Sequence, residues 1–240
     1  MNVIAIIPAR LASTRLPGKM LRQIAGESLI SRVYRGVRSC SLLADVIVAT
    51  DSEDISKHCE SQGFHVRMTS TSCRNGTERV HEISKSIAAD IYINVQGDEL
   101  LARSEHIQAL LALMKNPDTP VGTLKVATSA EEIANPHAVK VVADVNGNAL
   151  YFSRSTIPYD RDGMKPAYFK HLGFYAYRKA ALDRYVGWPE SPLEKSERLE
   201  QLRFLENGIP ILVAETTYDT IRIDAPEDLQ NAEKILCTIK

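Results

Sequence analysis

The feature that most narrows the possible folds is a recurring pair, a short β-branched apolar run followed by an amphipathic stretch of helical length. Val3-Ile4-Ala5-Ile6-Ile7 is continuously apolar rather than alternating, as expected of a strand buried on both faces. Asp45 to Thr50 and Ile91 to Val95 repeat the pattern, with helix-like segments near residues 28–39, 52–62 and 77–88. Alternation of β and α with short joints predicts an α/β fold, a mixed but mainly parallel sheet with helices on both faces. The second half reads differently. Lys140 to Ala143, Ala149 to Ser153 and His171 to Tyr177 are strand-like with fewer helices between them, which predicts a small antiparallel lobe. A helix at about 194–207 follows, then a strand from Pro210 to Glu215. A last helix is expected to begin near Pro226 with Asp224 as its cap. No repeat, low-complexity tract or linker interrupts the chain, so it reads as one domain over 1–240.

Charge and cysteine usage remove several function classes. Lysine and arginine number 29 against 30 acidic residues, a formal charge of −1, which argues against a general nucleic-acid or membrane-surface binder. Cys40, Cys59, Cys73 and Cys237 form no CxxC pair and no regular spacing, which fits a reducing cytoplasm better than a disulfide framework or a zinc site. The apolar run from Val3 to Pro8 is too short for a signal peptide, and no stretch approaches the roughly 20 apolar residues that span a bilayer. The expected location is the cytoplasm.

The local charge is another matter. Arg10, Arg15, Lys19 and Arg22 fall in the first 26 residues with no acidic residue among them. The loop from Pro8 through Ala9, Arg10, Ser13, Arg15 and Gly18 to Lys19 follows the first strand directly, where open α/β sheets bind ligands. Its three cations suit a polyphosphate, because charge-assisted bonds to oxyanions are the stronger kind. The competing reading is a solvated basic loop. A Walker A loop needs glycine at position 13 and Ser or Thr at position 20, where the chain has Ser13 and Met20, and no GxGxxG follows the strand. Both absences weigh against kinase, ATPase and dehydrogenase readings.

Asn94-Val95-Gln96-Gly97-Asp98-Glu99 brings a carboxylate out of a buried strand at a glycine, a suitable position for a divalent metal ligand. Magnesium takes one or two carboxylates plus substrate phosphates, and Asp224 is the possible second ligand. Both aspartates could instead be helix caps.

Several co-linear segments resemble the 3-deoxy-manno-octulosonate (Kdo) cytidylyltransferase family: Pro8 to Lys19, Gly76-Thr77-Glu78-Arg79, Gln96-Gly97-Asp98-Glu99 and Asn135 to Val142 in the first part of the chain. Ala149 to Arg154, His171 to Tyr177, Leu199 to Arg203 and Asp224 to Leu229 continue the resemblance, which runs from residue 8 to 229. It implies a nucleotide-diphospho-sugar transferase type of fold, a magnesium-dependent homodimer, and transfer of CMP from CTP to a 3-deoxy sugar acid with loss of pyrophosphate. Residues 1–125 would then be mainly nucleotide-binding and 126–220 mainly concerned with sugar and dimerisation.

Carried onto this chain, Arg10, Arg15 and Lys19 hold the CTP phosphates beside Ser13, while Pro8, Ala9, Gly76, Thr77, Arg79 and Gln96 lie about the nucleotide. Lys19, Asp98 and Arg15 act in catalysis, Asp98 and Asp224 hold magnesium, and Arg154, His171, Tyr175, Glu200 and Gln201 line the sugar-acid pocket. Read without the resemblance, His171 fits a core histidine, and Glu200 and Gln201 fit the solvated face of a helix. The chain departs from the family pattern in three places, one beside the nucleotide, one at a turn and one, at two residues, beside the second metal aspartate. Ser72-Cys73-Arg74-Asn75 replaces Asp-His-Gln-Ser, Leu100 replaces a proline, Arg222 replaces a glycine and Ala225 a threonine. Arg222 adds a charge beside the metal site, either to contact phosphate or to favour another sugar acid. The alternatives carried forward are a cytidylyltransferase for 8-amino-Kdo, a sialic acid or a phosphonate, and a non-catalytic nucleotide-binding protein.

Overall fold

The structure, a computed structural model, describes residues 1–11 and 15–238; the expectation for Ser13 lies outside the described residues. The chain divides into two compact units, Met1–Gln108 with Thr220–Lys240, and Ala109–Asp219.

In the first unit β1 (Val3–Ala9) is buried at all seven positions. It pairs in parallel with β4 (Asp45–Thr50) on one side and β6 (Ile91–Val95) on the other, and β5 (Val66–Met68) extends the sheet beyond β4. Full burial of each Ile or Val side chain contributes about 1.5–3 kcal/mol, so the continuous apolar runs are what the sheet needs. A short ribbon of β2 (Gln23–Ile24) and β3 (Glu27–Ser28) precedes α1 (Leu29–Arg38). Side-chain oxygens start three helices: Ser28 caps α1, Ser52 caps α2 (Glu53–Ser61), and Asn75 caps α3 (Gly76–Ser84). After β6 come β7 (Glu99–Leu100) and α4 (Ser104–Leu113). The chain's last part supplies β13 (Ile221–Arg222), antiparallel to β7, and α9 (Pro226–Thr238).

The second unit holds β8 (Val121–Ala127), α5 (Ala130–Ala134), β9 (Lys140–Ala143), β10 (Ala149–Ser153), β11 (Phe169–Tyr177), α6 (Lys179–Gly187), α7 (Pro192–Glu197), α8 (Leu202–Glu206) and β12 (Ile211–Thr216). Its strands run in the order β10-β9-β11-β8-β12, antiparallel except for β8 with β12. The antiparallel lobe expected from the sequence is this sheet.

Two expectations need correction. The helix foreseen at about 194–207 is two helices, because Arg198 adopts a left-handed conformation (φ 55°, ψ 47°) and ends α7. The break is held by Arg203, fully buried, whose Nε and NH2 donate to Glu194 at 2.7 and 2.6 Å and whose guanidinium lies over Tyr185. The second correction concerns Asp224. Its carboxylate is taken up by cations, and the start of α9 is closed by Asp228, which accepts from the N–H groups of Asp224 and Ala225 at 2.8 and 2.7 Å.

Candidate active site

Three segments of the first unit converge on one ionic cluster. The turn after the basic loop sets Lys19 at 8% exposure, and its Nζ lies 2.6 Å from Asp98 Oδ2 and 3.1 Å from Asp224 Oδ1. Lys19 also donates to the Ile223 carbonyl at 3.1 Å. Arg15 reaches Asp224 Oδ2 at 2.9 Å, and Arg222 Nε lies 3.2 Å from that same oxygen. The β7–β13 ribbon makes this geometry, since Arg222 pairs with Glu99 and the N–H of Ile223 donates to the Asp98 carbonyl at 3.0 Å. Leu100 pairs with Ile221 in that ribbon. Burial alone would raise the Asp224 carboxyl, but Arg222, Lys19 and Arg15 outweigh it and hold the group below the ordinary carboxylate range.

Several of the residues expected beside a nucleotide lie near the ends of β1 and β6. A Cβ on Gly97 would stand 2.8 Å from the Pro8 carbonyl oxygen and 3.1 Å from Met20 Sδ, so only glycine lets these backbones approach. Gly76 is less tightly confined, with the side-chain atoms Gln96 Nε2 at 3.0 Å and Asn94 Nδ2 at 3.3 Å from the position of an added Cβ. Asn94 is wholly buried, and neither its amide oxygen nor its nitrogen has a hydrogen-bond partner among the described residues. That orphaned amide beside Gly76 and Gln96 was missed in the sequence, although a lone Asn in an apolar strand is a visible signal.

Arg10 donates to the Cys73 carbonyl, which ties the basic loop to the departing Ser72-Asn75 segment. The Cys73 thiol is pushed up to about 12 by burial and by its bond to Glu82, and so stays protonated. Arg74 is clamped by Glu78, with its Nε 2.9 Å from Oε1. Ala9 and Thr77 are fully buried. Arg79 is too, with its guanidinium on Asp51 and Thr69, where it joins α3 to the ends of β4 and β5.

In the second unit, His171 and Tyr175 lie on one strand with ring centroids 5.3 Å apart, and Phe152 meets His171 edge-on at 5.0 Å. His171 Nε2 is 3.0 Å from Thr123 Oγ1, whose hydroxyl also bonds the Phe174 carbonyl. Arg154 donates to the carbonyls of Glu197 and Pro136 at 2.7 and 3.0 Å, and Glu197 in turn accepts from Ser153 Oγ at 2.6 Å. Glu197 gave no sign of this in the sequence, where it read as one more charge on a helix.

The break between α7 and α8 changes the reading of Glu200 and Gln201. Gln201 is not on a solvated face: it is 3% exposed, and its Nε2 has no hydrogen-bond partner among the described residues. Glu200 offers its carbonyl to Tyr185 at 3.4 Å.

The donor set at the ionic cluster fits magnesium. Asp98 and Asp224 supply two hard carboxylates on a shared cation; no group of three or more His, Cys, Asp or Glu side chains that could hold a metal is found among the described residues, at this cluster or away from it. Two carboxylates completed by phosphate and water is the usual arrangement for that ion. No helix among the described residues is long and apolar enough to cross a membrane.

An α/β fold that collects cations and paired carboxylates beyond its strand ends suits metal-assisted chemistry on a polyphosphate, and comparison with known proteins gives the class, a nucleotidyltransferase. A solved structure described as a putative glucose-1-phosphate thymidylyltransferase from Bacillus anthracis shares the fold at a TM-score of 0.69, with 14% identity over 97% of this chain and 94% of that one. The structure described as CMP:2-keto-3-deoxy-manno-octonic acid synthetase complexed with CTP matches at a TM-score of 0.94, with 40% identity over the whole of both chains. The family model described as Cytidylyltransferase matches residues 4–217. A 3-deoxy-manno-octulosonate cytidylyltransferase of Koribacter versatilis is 60% identical over 236 residues, which are 98% of this chain and 90% of that one. This chain belongs to the 3-deoxy-manno-octulosonate cytidylyltransferase family.

Proposed function

We propose that this enzyme transfers CMP from CTP to 3-deoxy-D-manno-octulosonate (Kdo) and releases pyrophosphate, supplying CMP-Kdo for lipopolysaccharide or capsule synthesis. The observation that carries the reading is the junction of Lys19, Asp98 and Asp224 within 3.1 Å, reached from a basic loop suited to a polyphosphate. The anomeric hydroxyl oxygen of the sugar forms a bond to the α-phosphorus of CTP. The bond from that phosphorus to the β-bridging oxygen breaks, pyrophosphate leaves with the electron pair, and the hydroxyl proton passes to solvent.

Such transfers depend on positioning and charge stabilisation more than on covalent protein chemistry. Arg10, Arg15 and Lys19 bind the triphosphate, with Ser13 on the same loop, and Lys19 stabilises charge on the leaving group. Pro8, Ala9, Gly76, Gln96 and the Asn94 amide form the cytidine side, with Thr77 and Arg79 shaping it from the start of α3. Asp98 and Asp224 would hold magnesium, which supplies charge neutralisation at the phosphate oxygens when bound. Arg154, His171, Tyr175, Glu200 and Gln201 take the sugar acid. Support for that last assignment is the buried, unpaired Gln201 amide, a donor still in need of an acceptor.

The same reading includes a homodimer in the cytoplasm. Its support in the second unit is a set of exposed apolar side chains, Leu150, Tyr159 and Met164, at 62%, 85% and 82% exposure.

Pyrophosphate release from CTP and magnesium, run with Kdo, 8-amino-Kdo, a sialic acid and no sugar, tests the function. Release with Kdo and its absence without sugar are the expected results. Release with another acid only would move the substrate, and none with any sugar, from protein that still binds CTP, would leave a nucleotide-binding protein.

A further inference from the structure

The ionic cluster contains one cation that the basic loop does not supply. Arg222 comes from β13, and its Nε lies 3.2 Å from Asp224 Oδ2 and 3.7 Å from Asp98 Oδ2. Lys19 holds the same Asp98 oxygen, and Arg15 holds the same Asp224 oxygen. Three cations therefore face two carboxylates, a formal surplus of one positive charge. The cations differ in freedom. The Lys19 side chain is 10% exposed and anchored to a backbone carbonyl, whereas Arg15 and Arg222 are 50% and 44% exposed, and of these two only Arg222 comes from outside the basic loop and also lies near Asp98. Nearly half of the Arg222 side chain faces solvent, so a ligand above the carboxylates can reach its guanidinium.

We infer that Arg222 is a displaceable partial stand-in for the divalent cation: when no nucleotide is bound it pairs with the Asp224 oxygen and adds its charge beside Asp98, and it turns to the phosphates of CTP when the metal takes those carboxylates. The inference rests on assigning CTP and its metal to this cluster. A guanidinium and a divalent cation compete for the same carboxylate oxygens, so Arg222 weakens metal binding to the nucleotide-free protein. A polyphosphate is the stronger partner for a guanidinium, which it can bind through two parallel hydrogen bonds. Nucleotide binding thereby releases the carboxylates, and metal and nucleotide bind cooperatively, each raising the affinity of the other by the same factor. Arg222 is thus a binding residue for the leaving phosphates, and it suppresses premature metal loading.

Manganese, which reports its free concentration by electron paramagnetic resonance, is the probe for the carboxylates, and metal-free pyrophosphate, followed by calorimetry, is the probe for the phosphate side. Arg222→Gln keeps most of the side chain's length and removes its charge; Arg222→Gly removes the side chain altogether. Without nucleotide, both variants should bind manganese about tenfold more tightly and metal-free pyrophosphate about tenfold more weakly, the effect of one partly screened charge at this distance. CTP should enhance manganese binding less in the variants than in the wild type. If Arg222→Gly melts early, Arg222→Gln carries the comparison. Unchanged manganese and pyrophosphate affinities in Arg222→Gln would overturn the inference. Wild-type turnover of CTP with Kdo is measured alongside. Turnover with unchanged affinities defeats the role of Arg222 alone, and shifted affinities without wild-type turnover keep that role while defeating the assigned reaction.

Discussion

The Nζ of Lys19 lies 2.6 Å from Oδ2 of Asp98, and each of the two side chains keeps only 10% of its surface exposed. One bond therefore joins the loop that follows β1 to the turn that follows β6, and the cation proposed to bind phosphate is held by the carboxylate proposed to bind the metal. Removing either partner leaves the other buried and less well compensated.

Lys19→Met is the first expected consequence. The variant should lose about 2 kcal/mol of stability, because Asp98 and Asp224 each lose a charged hydrogen bond. Its turnover should fall by roughly 10²–10³, the typical cost of removing one transition-state charge partner. Thermal melts and steady-state kinetics measure the two effects separately. A variant of wild-type turnover would remove Lys19 from the chemistry.

Gln201→Leu separates binding from stability. The buried amide nitrogen has no partner among the described residues, so replacing it with an apolar group of similar size should change stability by less than about 1 kcal/mol. The KM for the sugar acid should rise by roughly tenfold or more, with the KM for CTP little changed. A drop in melting temperature with an unaltered sugar KM would make Gln201 a packing residue.

Gly97→Ala should act through backbone spacing. The new methyl would stand 2.8 Å from the Pro8 carbonyl oxygen, and relieving that overlap should cost about 1–3 kcal/mol. Because Asp98 is the next residue, kcat should fall along with stability, whereas the sugar KM should hold. Denaturant unfolding and kinetics on the same preparation test both parts.

The second unit carries a pH-dependent cluster. Lys170 Nζ bonds Glu132 Oε1 at 2.6 Å and Asp219 Oδ1 at 2.8 Å. Burial would raise the Glu132 carboxyl, but its bond to Lys170, that lysine's charge and Thr128 hold it below the ordinary range. Burial would lower the Lys170 ammonium, but Asp219 and Glu132 raise it. The depressed carboxyl contributes stability above its unfolded value and loses it as pH falls through the folded value. The raised ammonium contributes below its unfolded value and loses it as pH climbs past the folded value. Lys170→Met should therefore cost about 2–3 kcal/mol near neutrality and flatten both the acid and the alkaline limbs of the stability profile. Urea unfolding from pH 3 to 11 would show this, and an unchanged profile would deny the coupling.

Much of the fold was legible because its strands are written in apolar runs. Val3 to Ile7, Asp45 to Thr50 and Ile91 to Val95 are buried nearly throughout, and their order gives the parallel sheet directly. β8 was not legible. Gly122 weakens its strand signal, and that glycine is needed where Leu113 and Met114 pack against the strand. The Leu-rich α4 has little charge after Glu105 to mark an outer face. The break at Arg198 was hidden in good helix formers, since the buried Glu194–Arg203 pair overrides local propensity. At the candidate site, the cations and carboxylates were legible as residue types in loops after strands. The meeting of Asp98 with Asp224 was also expected, but the ribbon that makes it was not, because two paired residues on each side are too short to leave a pattern.

The most direct test is the magnesium-dependent release of pyrophosphate from CTP and Kdo by Asp98→Asn. The substitution keeps the side chain's shape and removes the charge that would hold the metal. Turnover should fall by at least about 10³ while circular dichroism stays near the wild type and the melting temperature falls only by the cost of one lost charge partner for Lys19. Near-normal turnover with magnesium would contradict the assignment of this cluster as the active site.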